Sequence, residues 1–248
     1  MNQTIETLLH HRSIRKFKDQ QLTTEQIHTI IRAAQQASTS SHVMAYTIIG
    51  VTDPSLKSEL AKVSGQPYVK ENGHLFVFCA DLKRNQQLGS AEEQVVIQEN
   101  MESTEQFIVT VIDAALAAQN AATAAEALGL GICFLGSLRN DIQRVSSLLN
   151  LPDRVVPLFG LAAGYPDQQP EIKPRLPLEA VYHENTYPSP ERQQQLIQEF
   201  DKELLNYYQN RSSNARKATW SSQMIDKYKK PTRLDVGPFV KEKHLNKQ

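Results

Sequence analysis

The stretch of residues 102–128 is the feature that most limits what this chain can fold into. It lacks proline, and its apolar positions predict one long helix in which alanine recurs on most sides. The alanines are at positions 114, 115, 117, 118, 121, 122, 124, 125 and 127. Small side chains let other backbone approach closely, so we expect this helix at the centre of the core or in a dimer interface. Its polar residues argue against a membrane span; they include Asp113, Gln119, Asn120 and Glu126.

The remaining pattern predicts an α+β layered domain. A capping box at Thr23 and Gln26 opens a helix that ends near four consecutive hydroxyl residues, Ser38 to Ser41. Strands are predicted at 45–51, 74–81, 132–135 and 157–165, and further helices at 139–149, 191–209 and 220–228. Eight of the twelve prolines lie between Pro152 and Pro190. We therefore expect an irregular, extended excursion beyond about residue 165.

Bulk composition excludes several classes of protein. The net charge is zero, so nothing global points to nucleic acid or to an anionic membrane. Cys79 and Cys133 both lie within apolar runs and are predicted to be buried free thiols, and the spacing of Cys and His suggests no metal site. The N-terminus lacks the apolar core of a signal peptide, so we expect a cytoplasmic protein.

The usual catalytic and nucleotide-binding motifs are also missing. The sequence contains no GxGxxG after a first strand, and no GxxxxGK[ST], GxSxG or HExxH. Gly129-Leu130-Gly131 lies where a helix leads into a strand, which is typical of a helix C-cap and not of a phosphate-binding turn. The chain therefore lacks the marks of a hydrolase.

Three cationic clusters remain as candidate anion sites. The first is residues 10–17, where Arg12, Ser13 and Arg15 could clamp a phosphate. The second is residues 173–177, in which prolines flank Arg175. The third is residues 211–217, where cations alternate with small polar residues. Each cluster could also be a solvated basic surface, and residues 173–177 on their own favour that interpretation. Two separate phosphate clamps would suit a redox enzyme that binds a flavin nucleotide and a nicotinamide nucleotide.

Nine segments, in this order and spacing, resemble the oxygen-insensitive NAD(P)H nitroreductases and flavin reductases that hold FMN. The similarity is closest to the larger, NADPH-preferring group and spans nearly the whole chain. The segments are residues 11–15, 37–41, 65–68, 76–81, 124–131, 138–140, 157–160, 173–177 and 183–185.

The resemblance implies a three-layer α-β-α sandwich around a mostly antiparallel sheet. Residues 1–165 would form the FMN-binding core, and residues 166–248 a C-terminal excursion that wraps the partner and helps to bind NADPH. The protein would be an intertwined homodimer with FMN held tightly but not covalently at the subunit interface.

The resemblance also implies roles for individual residues. The FMN phosphate and ribityl chain would be bound by His11, Arg12, Ser13, Arg15, Lys173 and Arg175. Gln66 would bond to the flavin, Leu130 and Gly131 would line its ring near N5, and Ser40 and Ser41 would come from the partner subunit. The 2′-phosphate of NADPH would be recognised by Arg211, Arg216 and Lys217. No catalytic side chain and no metal are expected, since N5 of FMN carries the hydride.

Two positions depart from the family pattern. Met44 replaces a glutamine that many members place beside the flavin, and a thioether cannot replace the hydrogen bonds of an amide. Ile132 replaces a third glycine of some members and makes the ring environment more apolar. Either change could alter the range of substrates.

The function implied is a ping-pong oxidoreductase. A hydride would pass from NADPH to FMN, and two electrons then to a nitroaromatic, a quinone or free flavin. Two alternatives stay open: a flavin-binding redox sensor without turnover, and a specialised reductase, such as a dehalogenase, on the same fold. A nucleic-acid-binding module using residues 211–233 is disfavoured by the zero net charge and the single Trp.

Overall fold

A computed structural model describes residues 2–211 and 215–248 of the chain. The four strands are β1 (Tyr46–Val51), β2 (His74–Asp81), β3 (Gly131–Leu135) and β4 (Val155–Gly164). The helices of the described residues are α1 (Gln3–Leu9), α2 (Thr24–Gln35), α3 (Pro54–Ser64), α4 (Lys83–Gln86), α5 (Ala91–Met101), α6 (Thr104–Ala127), α7 (Ile142–Leu148), α8 (Pro190–Gln209), α9 (Trp220–Tyr228) and α10 (Val236–Glu242).

The strands form one sheet in the order β1-β2-β4-β3, and every neighbouring pair is antiparallel. Strand β2 lies inside the sheet and is buried along its whole length. Strand β3 is at one edge, and on its free side Ile132 forms a bridge with Ser13. The predicted, mostly antiparallel sheet is confirmed.

Alternate side chains of β2 enter two different helical layers. Phe76 and Phe78 pack with α2 and α6 on one face of the sheet. Leu75, Val77 and Cys79 pack with α3 and α7 on the other face. Because successive side chains of a strand point to opposite faces, a fully apolar β2 requires cover on both sides. This arrangement is the predicted three-layer α-β-α sandwich, and Cys79 and Cys133 are buried within it as free thiols.

Helix α6 is the central helix of the sheet's first helical layer. Ser103 caps its N-terminus, and its alanines allow α2 to pack closely along it, where Asn120 Nδ2 donates to the Ala33 carbonyl at 3.1 Å. Length and mean hydropathy alone would permit α6 to cross a membrane. However, nine of its residues are buried within the fold, as in the core helices of other layered domains.

The helix predicted at residues 139–149 is shorter than expected. Residues Gly136–Asp141 form a 3₁₀ turn, and α7 begins only after Asp141, whose side chain accepts a hydrogen bond from the Arg144 N–H at 2.9 Å. Asp141 is the N-cap of α7. Because it lies inside the predicted range of residues 139–149, the helix begins at Ile142 and not at residue 139.

The chain divides into two compact units. The first comprises residues 1–170 together with 233–248, and the second comprises residues 171–232. Residues 233–248, which the sequence pattern groups with the excursion, therefore belong to the first unit. They are held there by Arg154, which is 2% exposed and whose N–H donates to the Lys243 carbonyl at 2.8 Å. The second unit contains α8 and α9, with Phe200, Leu204 and Tyr208 as its small core.

Candidate functional site

Residues 11–15 run extended beside the free edge of β3. Ser13 forms a parallel bridge with Ile132, and the Ile14 N–H donates to the Ile132 carbonyl at 2.8 Å. These two contacts hold the middle of the segment, Ser13 and Ile14, against β3, with Arg12 and Arg15 on either side of them in the chain.

Close packing between Ile14 and Gly131 fixes this segment. Ile14 is 4% exposed, and a Cβ at residue 131 would lie 2.6 Å from the Ile14 Cγ1 atom. The glycine is thus required by the approach of Ile14. Gly129, with a φ of +76°, ends α6 in the left-handed conformation predicted for a C-cap.

Arg15 lies beside a second element, the 3₁₀ turn Pro67–Val69. Its guanidinium lies beside the Tyr68 hydroxyl and the Cys133 thiol. Burial raises the pKa of both groups, and the nearby positive charge of Arg15 opposes that rise. Gln66 occupies the N-cap position of the 3₁₀ turn Pro67–Val69, which carries Tyr68, so it adjoins the element that Arg15 contacts. Sequence reasoning predicted Gln66 but missed Tyr68.

His11 and Arg12 of the segment have different partners. His11 Nδ1 lies 2.7 Å from a carboxylate oxygen of Glu126, near the end of α6. Arg12 donates to the carbonyls of His10 and Pro170, at 3.4 Å and 3.2 Å. A cavity of about 660 Å³ lies against these residues, within the size range of ligand sites. Its lining includes Arg12, Glu126, Leu130 and Gly131.

Ser40 and Ser41 belong to a tight loop between α2 and β1. Residues Ser40–His42 form a 3₁₀ turn, in which Ser41 has a φ of +48°. Met44, 44% exposed, also has a positive φ, of +53°. The backbone N–H groups of Ser40 and Ala45 donate to the carboxylate of Asp113, which the sequence marks only as a polar residue of α6.

The second unit gathers its own cationic cluster around Tyr208. Arg216 lies 4.3 Å from the ring centroid, Lys173 5.7 Å and Arg211 6.0 Å. Burial alone would raise the pKa of Tyr208, but hydrogen bonding and positive charge from Lys173 and Arg216 lower it overall. These three cations therefore share one phenol.

The Tyr208 ring brings together two cationic clusters that are distant in the sequence, residues 173–177 and residues 211–217. Lys173, predicted to bind FMN, shares an aromatic ring with Arg211 and Arg216, predicted to bind NADPH. Arg175 donates to the Lys173 carbonyl at 2.9 Å, and Lys217 is exposed. Ser212, Ser213 and Asn214 of the same predicted cluster lie outside the described residues. In the described part of the chain, no group of three or more His, Cys, Asp or Glu side chains could hold a metal ion.

Comparison with known proteins identifies the class to which this fold and site belong. The Nitroreductase family model matches residues 8–165, and the model of the C-terminal domain of the same family matches residues 173–248. The chain belongs to the nitroreductase family.

Individual relatives are similar over the whole chain. An FMN reductase (NADPH) of Bacillus subtilis (strain 168) is 52% identical over 249 residues, which cover all of both chains. A Staphylococcus haemolyticus NADPH-dependent oxidoreductase is 46% identical over 91% of each chain.

The solved structures agree in fold. NfrA1 nitroreductase from B. subtilis superposes with a TM-score of 0.94 at 52% identity, covering 99% of this chain and all of that one. An NADPH:FMN oxidoreductase from Vibrio harveyi, solved in complex with NAD+, superposes with a TM-score of 0.86 at 38% identity over the whole of both chains.

Proposed function

We propose that this protein is an FMN-dependent NADPH oxidoreductase that reduces nitroaromatics, quinones or free flavin. The observation that carries the proposal is the 52% identity, over the whole of both chains, to a B. subtilis protein named FMN reductase (NADPH). At this identity and coverage, the two chains share one fold.

The cationic segment beside β3 supports a site for the FMN phosphate and ribityl chain. Within the described residues, no carboxylate pairs with Arg12 or Arg15. A phosphate would satisfy such guanidinium groups through charge-assisted, bidentate hydrogen bonds. The hydroxyl of Ser13, between the two arginines in the chain, is a further donor. The residues present therefore fit a flavin phosphate in both charge and donor chemistry.

Further residues would position the rest of the flavin. Leu130 and Gly131, which line the cavity, would lie along the ring, and Gln66 would supply an amide. When bound, FMN supplies the redox chemistry, taking a hydride from NADPH and giving two electrons to an acceptor. The protein binds, orients and stabilises negative charge through its cations. No side chain need donate or abstract a proton at the reacting atom.

The Tyr208 cluster supports an NADPH site. Lys173, Arg211 and Arg216 also lack carboxylate partners within the described residues. A 2′-phosphate would give these cations a counter-charge, which NADH lacks. Lys173, which the family resemblance assigns to the flavin phosphate, would then serve the same anion as Arg216, because both cations lie over the Tyr208 ring.

A homodimer is supported by the apolar surface of α6. Ile108, Ile112 and Leu116 recur at four-residue spacing and are 45%, 45% and 44% exposed. Together with exposed Leu8 and Leu9 of α1, they form a stripe that association would bury. Ser40 and Ser41 would then reach the flavin of the partner subunit. A cytoplasmic location is part of the same proposal, because two free thiols fit a reducing compartment.

The purified protein provides the direct test. We expect a yellow protein with the visible spectrum of bound flavin, whose apoprotein takes up FMN and then oxidises NADPH when a nitroaromatic or quinone is added. A colourless protein that takes up no FMN would contradict the proposal. FMN binding without NADPH turnover would support the redox-sensor alternative instead.

A further inference from the structure

Within the described residues, the buried carboxylate of Asp113 accepts hydrogen bonds from both ends of the loop between α2 and β1. Asp113 lies on α6 and is 0% exposed. Its Oδ1 accepts the Ser40 N–H at 2.9 Å, and its Oδ2 accepts the Ala45 N–H at 3.0 Å. No cation pairs with it within the described residues. The two loop amides therefore stabilise a charge that burial would otherwise penalise.

The loop between these two amides is strained. Ser41, His42 and Met44 have φ values of +48°, +58° and +53°, a region that L-residues with side chains rarely adopt. Within the loop, the His42 N–H donates to the Thr39 carbonyl at 3.3 Å and the Val43 N–H to the Ser40 carbonyl at 2.9 Å. A strained backbone persists only where its surroundings over-determine it, and Asp113 supplies a hydrogen bond at each end of this loop.

We propose that Asp113 is a positioning residue of the flavin site. It holds residues 40–45 in the one shape that presents the hydroxyls of Ser40 and Ser41 to the flavin of the partner subunit. The inference rests on the proposed function, because that function gives these serines their role. Asp113 itself acts only through the loop, since both of its oxygens are occupied and buried.

The chemistry of the side chain explains why an acid is needed. A carboxylate offers two oxygens that only accept hydrogen bonds, which suits two converging N–H groups. An asparagine of nearly the same shape offers one acceptor oxygen and turns an NH₂ group towards the other N–H. The substitution Asp113→Asn therefore releases one end of the loop without leaving a cavity.

The test compares Asp113→Asn with Thr110→Val in the full-length holoenzyme. Thr110 lies one turn earlier on α6, is 0% exposed, and bonds only to the Phe107 carbonyl of its own helix. We expect Asp113→Asn to raise the FMN dissociation constant about tenfold, the effect of losing one hydrogen bond to a charged group. The visible circular dichroism of bound flavin should also weaken, whereas Thr110→Val should change neither. Equal FMN affinity in the two variants would overturn the inference.

A double-mutant cycle separates positioning from general destabilisation. In a Ser40→Ala/Ser41→Ala background, Asp113→Asn should have little further effect on FMN affinity, although it should still lower the melting temperature. Fully additive effects on affinity would show that Asp113 does not act through the serines.

Amide hydrogen exchange on the wild-type protein tests the same hydrogen bonds if the variants do not fold. The Ser40 and Ala45 amides should be protected, and exchange at the rate of an unbonded loop amide would overturn the inference. Failure of the wild type to bind FMN would contradict the proposed function as well. FMN binding that is unchanged by Asp113→Asn would contradict this inference alone.

Discussion

Ile14 and Gly131 meet so closely that residue 131 has no room for a side chain: a Cβ there would lie 2.6 Å from the Ile14 Cγ1 atom. This contact joins the cationic segment to the first residue of β3. The position of every predicted phosphate-binding side chain of residues 11–15 therefore depends on it.

We expect Gly131→Ala to destabilise the fold by about 1–3 kcal/mol, the usual effect of overpacking a close contact, and to weaken FMN binding. Urea unfolding of the apoprotein and FMN titration measure the two effects. Gly237→Ala is the control, because no atom lies within 4 Å of the added Cβ. Restored stability in Gly131→Ala/Ile14→Ala would confirm the steric cause, and an unaffected single variant would refute it.

Arg15→Ala should weaken FMN binding about tenfold or more, because it removes a guanidinium that we assign to the flavin. Lys16→Ala is the matched control: Lys16 is the next cation in the chain, and its ammonium pairs with Asp167 at 2.8 Å on the surface. FMN fluorescence titration of both apoproteins makes the comparison. If both variants lose affinity equally, the effect comes from net charge and not from a bonded site.

Arg211→Ala and Arg216→Ala should each lower kcat/KM for NADPH about tenfold or more while changing that for NADH little, since only NADPH carries the 2′-phosphate. Lys227→Ala serves as the control, because Lys227 lies 5.6 Å from the ring centroid of exposed Tyr228 in the same unit. Steady-state kinetics with both nucleotides give the ratio. An unchanged NADPH-to-NADH ratio in both arginine variants would remove these residues from the nucleotide site.

Stability should depend on pH through His74. Burial, aided by the charge of Lys57, lowers the pKa of His74 from 6.5 to about 4, and Nε2 has no hydrogen-bond partner. Between pH 6.5 and about 4, His74 is protonated in the unfolded chain but neutral in the native chain. The contribution of His74 to the free energy of unfolding is therefore greatest above pH 6.5. It falls on acidification, by at most about 1.4 kcal/mol per pH unit.

The comparison of urea unfolding at pH 7 and pH 5 tests this dependence. His74→Leu should lose less stability over that interval than the wild type does. An equal loss in both proteins would assign the acid sensitivity to other groups.

Much of the fold could be predicted because helix caps and apolar runs in the sequence lie where the structure has helix starts and buried strands. The capping box at Thr23 and Gln26 is formed, and β2 spans the residues predicted for it. A second capping box, at Ser90 and Glu93, opens α5 and was overlooked, although the sequence carries it. The apolar residues of α5 do not gather on one face of the helix, and Val95 and Val96 are exposed, so periodicity does not predict this helix.

The site was less accessible to sequence reasoning. Cations in the segment 11–15 pointed to an anion, and the family resemblance supplied their roles. Tyr68 and Asp113 act through contacts that form only when the chain folds. Tyr68 is 53 residues from Arg15 in the sequence, and Asp113 is 73 residues from Ser40. Such long-range pairings leave no local pattern, since nothing at either position alone marks the partner.

The return of residues 233–248 to the first unit has a consequence for biosynthesis. Leu245 is fully buried, and the Lys247 N–H donates to the Glu102 carbonyl at 2.7 Å, beside the ion pair of Glu102 with Arg154. The first unit is thus built from two separate segments of sequence, with residues 171–232 inserted between them. During synthesis, Arg154 emerges 90 residues before His244, whose carbonyl accepts one of its side-chain hydrogen bonds. Nascent chains should therefore stay incompletely packed around Arg154 until residues 233–248 have been made.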